Sequence, residues 1–400
     1  MIIKIETEVE NVYYFDYSAT SYPKPKRVVD KMVEVITEYG ANPGRSGHRL
    51  ALEAGRGIYE TRERLANFIG AKNPMDIVIT RNATASLNLA IKGLLKKGDH
   101  VITTTMEHNS VLRPIMKLKD SGIVEATILE ADEKGHIDLE ELKSSIKNNT
   151  KLVVTTHASN VMGTIFPIES ISKIVHEKDV LYLVDAAQSA GYLAIDVEKM
   201  DIDLLAMTGH KSLLGPQGTG ALYIREGIIL DSIEEGGTGS KSYEFTQPEI
   251  YPDKFESGTP NTPGIIALGE GLKYIEEIGL EKIANHKWEM TKRFLQGIKD
   301  VEGIKVYGPD LSEKRAPVVP INIGEEDSSS ISYILDDEFD IATRPGLHCA
   351  PLAHKSIGTF EQGVVRFSFG HGTTAEEIDY AIDVLKQIAE NYNQNLEEQL

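Results

Sequence analysis

Lys211 follows His210 directly, at the close of an apolar run, DLLAMT (203–208), and just ahead of a glycine-rich stretch, GPQGTG (215–220). Asp185 lies in another apolar run, VLYLVDAAQ (180–188), and 211 − 185 = 26 residues separate the two. If both runs are strands of one parallel sheet, their ends open on the same edge. A lysine taken out of water there gives up its proton more easily and can form a Schiff base with a carbonyl. A buried aspartate beside it can keep a ring nitrogen protonated, which makes the ring an electron sink. The same spacing also suits a structural ion pair, and spacing alone leaves both readings open.

Three further clusters carry chemistry. TRNATASLNLA (80–90) puts small and polar residues, Ala83 and Thr84 among them, at a helix start after a strand, where free N–H groups and the helix dipole favour a phosphate. Plain N-capping explains the same residues. Neither this loop nor GPQGTG has the GxxxxGK[ST] or GxGxxG spacing of a nucleotide-binding loop. His108, in TTTMEHNS, lies just past a strand at the same edge; it can stack on a flat ring and shuttle protons, or simply cap a helix. Asn160 and Gln188 fall at comparable strand ends. The last cluster is RPGLHCAPLAH (344–354), followed by GVVRFSFG (363–370). Its Cys349 is the chain's single cysteine, which rules out an intrachain disulfide and every multi-cysteine metal motif. Pro345, Gly346 and Pro351 place that thiol on a loop, and Arg344 and His348 are neighbours that favour a thiolate. Arg366 can grip a carboxylate with its planar fork.

These residues need a frame. Apolar segments at 76–80, 100–105, 151–159, 180–188, 203–208 and 219–225 read as strands covered on both faces. Helix patterns at 82–98, 138–146 and 167–179 lie between them, so the chain reads as α/β with a mostly parallel sheet between helical layers. Ligands of such sheets bind at the C-terminal strand ends. Residues 234–264 are rich in Gly, Pro, Ser and Thr and read as loops. Long helix patterns follow, then strands at 316–323 and 364–370 and a last helix from Ala375, with a tail (393–400) expected to fray. This is a smaller α+β unit.

Composition narrows the partners. The 400 residues carry a net charge of -19, which repels nucleic acid. The charged N-terminus has no signal-peptide core and no apolar run is long enough to span a membrane, so the expected setting is cytoplasmic.

Taken together, TGHKSLLGPQGTGALY, DAAQSAG, FESGTPNTPGIIALG and RPGLHCAPLAH resemble the fold-type I pyridoxal-phosphate enzymes of the class V aminotransferase branch. Within that branch the chain is most similar to the SufS-like cysteine desulfurases, which overlap with selenocysteine lyases. The likeness runs from FDYSATSYPKP to the C-terminal helix. It implies a large pyridoxal-phosphate-binding domain at 16–264 and a small domain from 1–15 and 265–400. It implies that Lys211 carries pyridoxal 5'-phosphate, Asp185 pairs with the pyridine nitrogen, Gln188 bonds the ring oxygen and His108 stacks on the ring. Thr84, Thr208 and His210 would bind phosphate, with Ala83 in the same loop. Here the loop is Asn82-Ala83-Thr84 where the family often has Gly-Thr-Thr, one hydroxyl fewer. Gly258 and Thr259 would reach the neighbouring subunit's phosphate in a homodimer. Asn160, Arg366 and Arg344 would hold the substrate. Cys349 would take sulfur from L-cysteine, leaving L-alanine, and pass it to an acceptor protein, as in iron–sulfur cluster assembly. The alternatives are L-selenocysteine as substrate, an aminotransferase or epimerase in which Cys349 is incidental, and a non-catalytic sulfur-carrier scaffold.

Overall fold

The computed structural model describes residues 12–44 and 46–399, with backbone alone for 395–399. The part of the small domain assigned to residues 1–11 lies outside the described residues. In chain order the elements are β1 (Tyr13–Tyr14), α1 (Lys26–Glu34), α2 (Arg49–Phe68), β2 (Ile77–Thr80), α3 (Ala83–Leu94), β3 (His100–Thr104), α4 (Asn109–Asp120), β4 (Glu125–Leu129), α5 (Leu139–Ser145), β5 (Thr150–Thr156), α6 (Ile168–His176), β6 (Leu181–Asp185), β7 (Leu204–Thr208) and β8 (Gly220–Ile224). They continue with α7 (Thr262–Ile278), α8 (Leu280–Ile298), β9 (Ile304–Val306), β10 (Val318–Ile323), α9 (Ser328–Phe339), β11 (Ile341–Ala342), α10 (Pro351–Ser356), β12 (Val365–Ser368) and α11 (Ala375–Gln399). The tail expected to fray continues helix α11 to Gln399.

The central sheet has the order β2-β8-β7-β6-β5-β3-β4. Its strands are parallel except β8, which runs antiparallel to both β2 and β7. Alternate residues of the buried strands feed opposite cores, as the two-residue pleat requires. Val153, Val184 and Met207 pack on one face with Ile171 and Val175 of α6. Leu152, Val154, Leu183 and Ala206 pack on the other with Leu87 and Ile91 of α3 and Val111 of α4. Both faces are dry, which explains the near-continuous apolar runs.

A three-stranded antiparallel sheet, β12-β10-β9, carries a separate core with Phe294, Phe367 and Leu385. The N-terminal segment belongs to this side: β1 pairs with β11, Asp16 bridges to Ser368, and Phe15 packs on Phe367 and Phe369. No helix of the described residues is long and apolar enough to cross a membrane.

Candidate active site

β6 and β7 are parallel neighbours, with Asp185 opposite Ala206. Asp185 ends β6, and the turn after β7 carries His210 and Lys211 to the same edge. That turn is built tightly: Gly209 donates its N–H to Thr219 and Gly215 donates to Gly209. The loop after Asp185 passes so close that a Cβ on Gly191, at φ +110, would lie 2.2 Å from the Ser212 carbonyl oxygen. Both segments are therefore fixed against each other by backbone.

A cavity of about 270 Å³ opens at this edge. Lys211, Asp185, Gln188 and His108 line it, as do Ala83, Thr84, Thr208 and His210. Asn160, Arg344 and Arg366 complete the set on the side of the smaller sheet. Cys349 is not among the lining residues; it is exposed at the rim, with its Sγ 3.8 Å from Arg344 Nη2. Gly258 and Thr259 lie apart from the 270 Å³ cavity, in an adjoining hollow of about 710 Å³ that shares Asn82 and Thr84 with it. Their loop is anchored by Glu256, which accepts the Ile79 N–H at 2.6 Å and pairs with Arg62.

Electrostatics favour nucleophilic use of Lys211. Burial lowers its pKa to about 8, opposed by Asp185 and aided by Arg366 and Arg344. Its Nζ has no hydrogen-bond partner among the described residues. Burial also raises the Asp185 pKa, while the Ala187 N–H, 2.9 Å from Oδ1, and Lys211 oppose that rise. His108 caps α4, accepting the Ser110 N–H at Nδ1. Its neutral ring thus carries hydrogen on Nε2. Burial, then Lys211 and three arginines, lower its pKa to about 4, so it is neutral at physiological pH. Cap and cavity wall are one residue.

The donor set fits pyridoxal 5'-phosphate. Thr208 Oγ1 is buried with no partner among the described residues, which suits a ligand acceptor. Asn82 caps α3 by accepting the Ala85 N–H, leaving first-turn N–H groups without helical partners beside Ala83 and Thr84. Thr84 Oγ1 meets Ser110 Oγ at 2.7 Å, and His210 Nδ1 meets Thr20 Oγ1 at 3.1 Å.

His348 does not stand by the thiol as a cation. It is buried, its pKa is driven well down chiefly by burial, and its Nε2 meets the Arg344 carbonyl at 2.9 Å. The Asn160 side-chain N–H is already given to the His348 carbonyl at 2.7 Å. Arg366, likewise, is fully buried and paired with Asp16 at 2.6 Å, with a second bond to the Asn160 carbonyl. His348 and Cys349 have φ of +51 and +56. Two consecutive non-glycine residues in that region cost roughly 1–3 kcal/mol each.

Sequence reasoning did not assign Asp16, nor Ser18 and Ser110 of the cavity wall. Ser110 was findable, being two residues past His108 on a helix start. Asp16 was not, because its partner lies 350 residues away.

A family model described as Aminotransferase class-V matches residues 13–381. A probable cysteine desulfurase of Pyrococcus abyssi is 37% identical over 392 residues, spanning 96% of this chain and 95% of that protein. The cysteine desulfurase IscS of Vibrio vulnificus is 35% identical over 394 residues, spanning 94% and 92%. The solved apo structure of the cysteine desulfurase from Thermococcus onnurineus NA1 shares the fold with a TM-score of 0.89 at 37% identity, over 95% of each chain. With a fold-type I architecture and with Lys211 and Asp185 lining one cavity at the edge of the central sheet, the chain belongs to the aminotransferase class-V family, among its cysteine desulfurases.

Proposed function

We propose that this protein takes the sulfur of L-cysteine onto Cys349, releases L-alanine and passes the sulfur to an acceptor protein. The observation that carries the reading is the exposed Cys349 thiol held 3.8 Å from Arg344, whose side chain lines the same cavity as the unpartnered Lys211. Bound in that cavity, pyridoxal 5'-phosphate supplies a ring that stores the electrons released at the substrate's α carbon.

The residues take these roles. Lys211 holds the cofactor, and its neutral amine is placed to take the proton from the substrate's Cα. Asp185 would pair with the ring nitrogen, Gln188 would bond the ring oxygen and His108 would stack on the ring with a neutral imidazole. Thr84, Thr208 and His210, with the Ala83 backbone, would hold its phosphate. Arg366, Arg344 and Asn160 orient the substrate carboxylate. The Cys349 sulfur then forms a bond to the substrate sulfur as the substrate Cβ–S bond breaks. The bonding pair and a proton stay with carbon, giving alanine, and Cys349 is left as a persulfide.

The reading includes a homodimer, in which Gly258 and Thr259 serve the partner's phosphate site; their place in a hollow contiguous with Thr84 supports this. It includes a cytoplasmic setting, supported by an exposed thiol that needs reducing conditions. It includes a division into 16–264 and a smaller unit of 1–15 with 265–400, supported by the packing of Phe15 in the core of β10 and β12.

The test is product analysis with L-cysteine, L-selenocysteine and L-alanine, each with reductant, together with mass spectrometry of Cys349. Persulfide on wild-type Cys349 and loss of sulfide release in Cys349→Ser are expected. Undiminished sulfide release by Cys349→Ser overturns the role of the thiol. Turnover of selenocysteine alone makes the protein a selenocysteine lyase.

A further inference from the structure

The loop that presents Cys349 is fastened from below by a file of three side chains. His348 and His354 are both buried, at 2% and 0% exposure, and neither lines the cofactor cavity. His348 Nδ1 and His354 Nε2 lie 3.4 Å apart, with the two rings within 13° of parallel. His354 Nδ1 meets the Thr359 hydroxyl at 2.8 Å, and His348 Nε2 meets the Arg344 carbonyl at 2.9 Å.

This file has one consistent direction. The Arg344 carbonyl can only accept, so His348 Nε2 bears hydrogen. In the neutral ring His348 Nδ1 then accepts, and the donor is His354 Nε2–H. That leaves His354 Nδ1 to accept from the Thr359 hydroxyl. The Arg344 carbonyl on one ring nitrogen and His354 Nε2–H on the other thus hold His348 in its Nε2–H tautomer, the Thr359 hydroxyl answers His354 Nδ1 as donor, and His348 ties down the residue whose guanidinium touches the Cys349 sulfur. The opposite tautomer of His354 would leave two bare nitrogens facing each other. From the other side, Asn160 holds the His348 carbonyl and the Asn109 N–H holds the Cys349 carbonyl, both at 2.7 Å. The strained backbone at 348–349 is thereby gripped at both carbonyls and at the His348 ring.

We propose that His354 is a positioning residue for sulfur transfer: by fixing the tautomer and angle of His348, it holds Cys349 in its left-handed turn against Arg344. The proposal rests on the reading of Cys349 as sulfur acceptor, but two of its readouts do not use sulfur transfer.

The experiment uses the cofactor-loaded protein and its His354→Phe and His354→Gln variants. Nitrogen-15 NMR of the imidazoles should show His348 as the Nε2–H tautomer in the wild type and as a mixture in His354→Phe. Alkylation of Cys349, the only thiol, by iodoacetamide should slow by about threefold or more in His354→Phe as the sulfur leaves the guanidinium. The kcat with L-cysteine should fall about tenfold or more while KM stays within about twofold, since the misplaced group is the attacking sulfur. His354→Gln retains an N–H donor toward His348 and should recover most of both losses. A His354→Phe variant that keeps a pure Nε2–H tautomer and wild-type alkylation overturns the proposal. If His354→Phe does not fold, Thr359→Val, which removes only the hydroxyl at the head of the file, decides by the same two readouts: a shifted tautomer with slower alkylation supports the proposal, and wild-type values overturn it. Altered alkylation with no persulfide in the wild type would leave His354 as the holder of the loop and refute the assigned function instead.

Discussion

Asn109, the first residue of α4, donates its backbone N–H to the carbonyl of Cys349 at 2.7 Å. Asn109 directly follows His108, so one peptide step separates the wall of the cofactor cavity from the fastening of the thiol loop. The two halves of the site share a hinge pin, and displacement of the His108 turn moves both.

The acidity of Lys211 makes cofactor uptake pH-dependent in a defined sense. Its amine ionises at about 8 in the fold instead of 10.5, because burial outweighs the pull of Asp185. The unfolded chain therefore binds a proton across that window while the folded chain does not, and this group's contribution to apoprotein stability rises with pH through it. The rate of visible-band appearance on adding pyridoxal 5'-phosphate to apoprotein should rise with pH and level off just above 8. Asp185→Asn removes the charge that raises the pKa, so its midpoint should fall to lower pH. A midpoint near that of free lysine, ~10.5, contradicts the assignment.

Arg366 is fully buried, and Asp16, at 2.6 Å, is its only carboxylate among the described ion pairs. Arg366→Lys keeps charge but loses the fork, and KM for L-cysteine should rise about 10–100-fold with the resting spectrum unchanged. Asp16→Asn strands a buried cation and should cost about 3 kcal/mol in urea unfolding. A carboxylate ligand then replaces the lost partner, so L-alanine should raise Tm more in Asp16→Asn than in wild type. Equal shifts would separate Arg366 from carboxylate binding.

Gly191 is required by space and by backbone, since its φ is +110 and a Cβ would come within 2.2 Å of the Ser212 carbonyl oxygen. Gly191→Ala should destabilise by about 3 kcal/mol and push the segment bearing Lys211 away from Asp185. The check is denaturant unfolding paired with cofactor affinity; loss of stability with full affinity would place the relaxation elsewhere.

Shared sites can be tested by mixing subunits. Lys211→Ala and Thr259→Ala homodimers should each be weak or inactive. A mixed dimer should hold one site with both changes and one with neither, recovering up to half of wild-type activity per dimer. No recovery after confirmed subunit exchange would put Thr259 in its own subunit's chemistry.

Much of the proposed cofactor bed is legible in the sequence because it obeys local rules. Strands buried on both faces must be apolar throughout, so the runs ending at Asp185 and before Lys211 stood out, and parallel pairing brings their ends together. Helix α2 was not foreseen. Its sequence RLALEAGRGIYETRERLANF mixes charged residues and two glycines with its apolar ones, Leu52 and Tyr59 are exposed, and Gly57 is small because Ile266 would meet a Cβ at 2.6 Å. β4 was missed as well, being only partly buried at the sheet edge. β1 and β11 have two residues each, too few for any period to register. Adjacency in sequence sets His348 beside the thiol, but it says nothing about which way a left-handed turn throws a ring, and here the ring is buried.

The pairing of Asp16 with Arg366 spans 350 residues. On the ribosome, the segments that carry Thr84, His108, Asp185 and Lys211 emerge well before Arg366, which lies within the last tenth of the chain. The residues proposed to hold pyridoxal phosphate in its own subunit are thus made before the arginine proposed to grip the amino acid. A chain cut short after β8 would keep the lysine but have neither the grip nor the thiol.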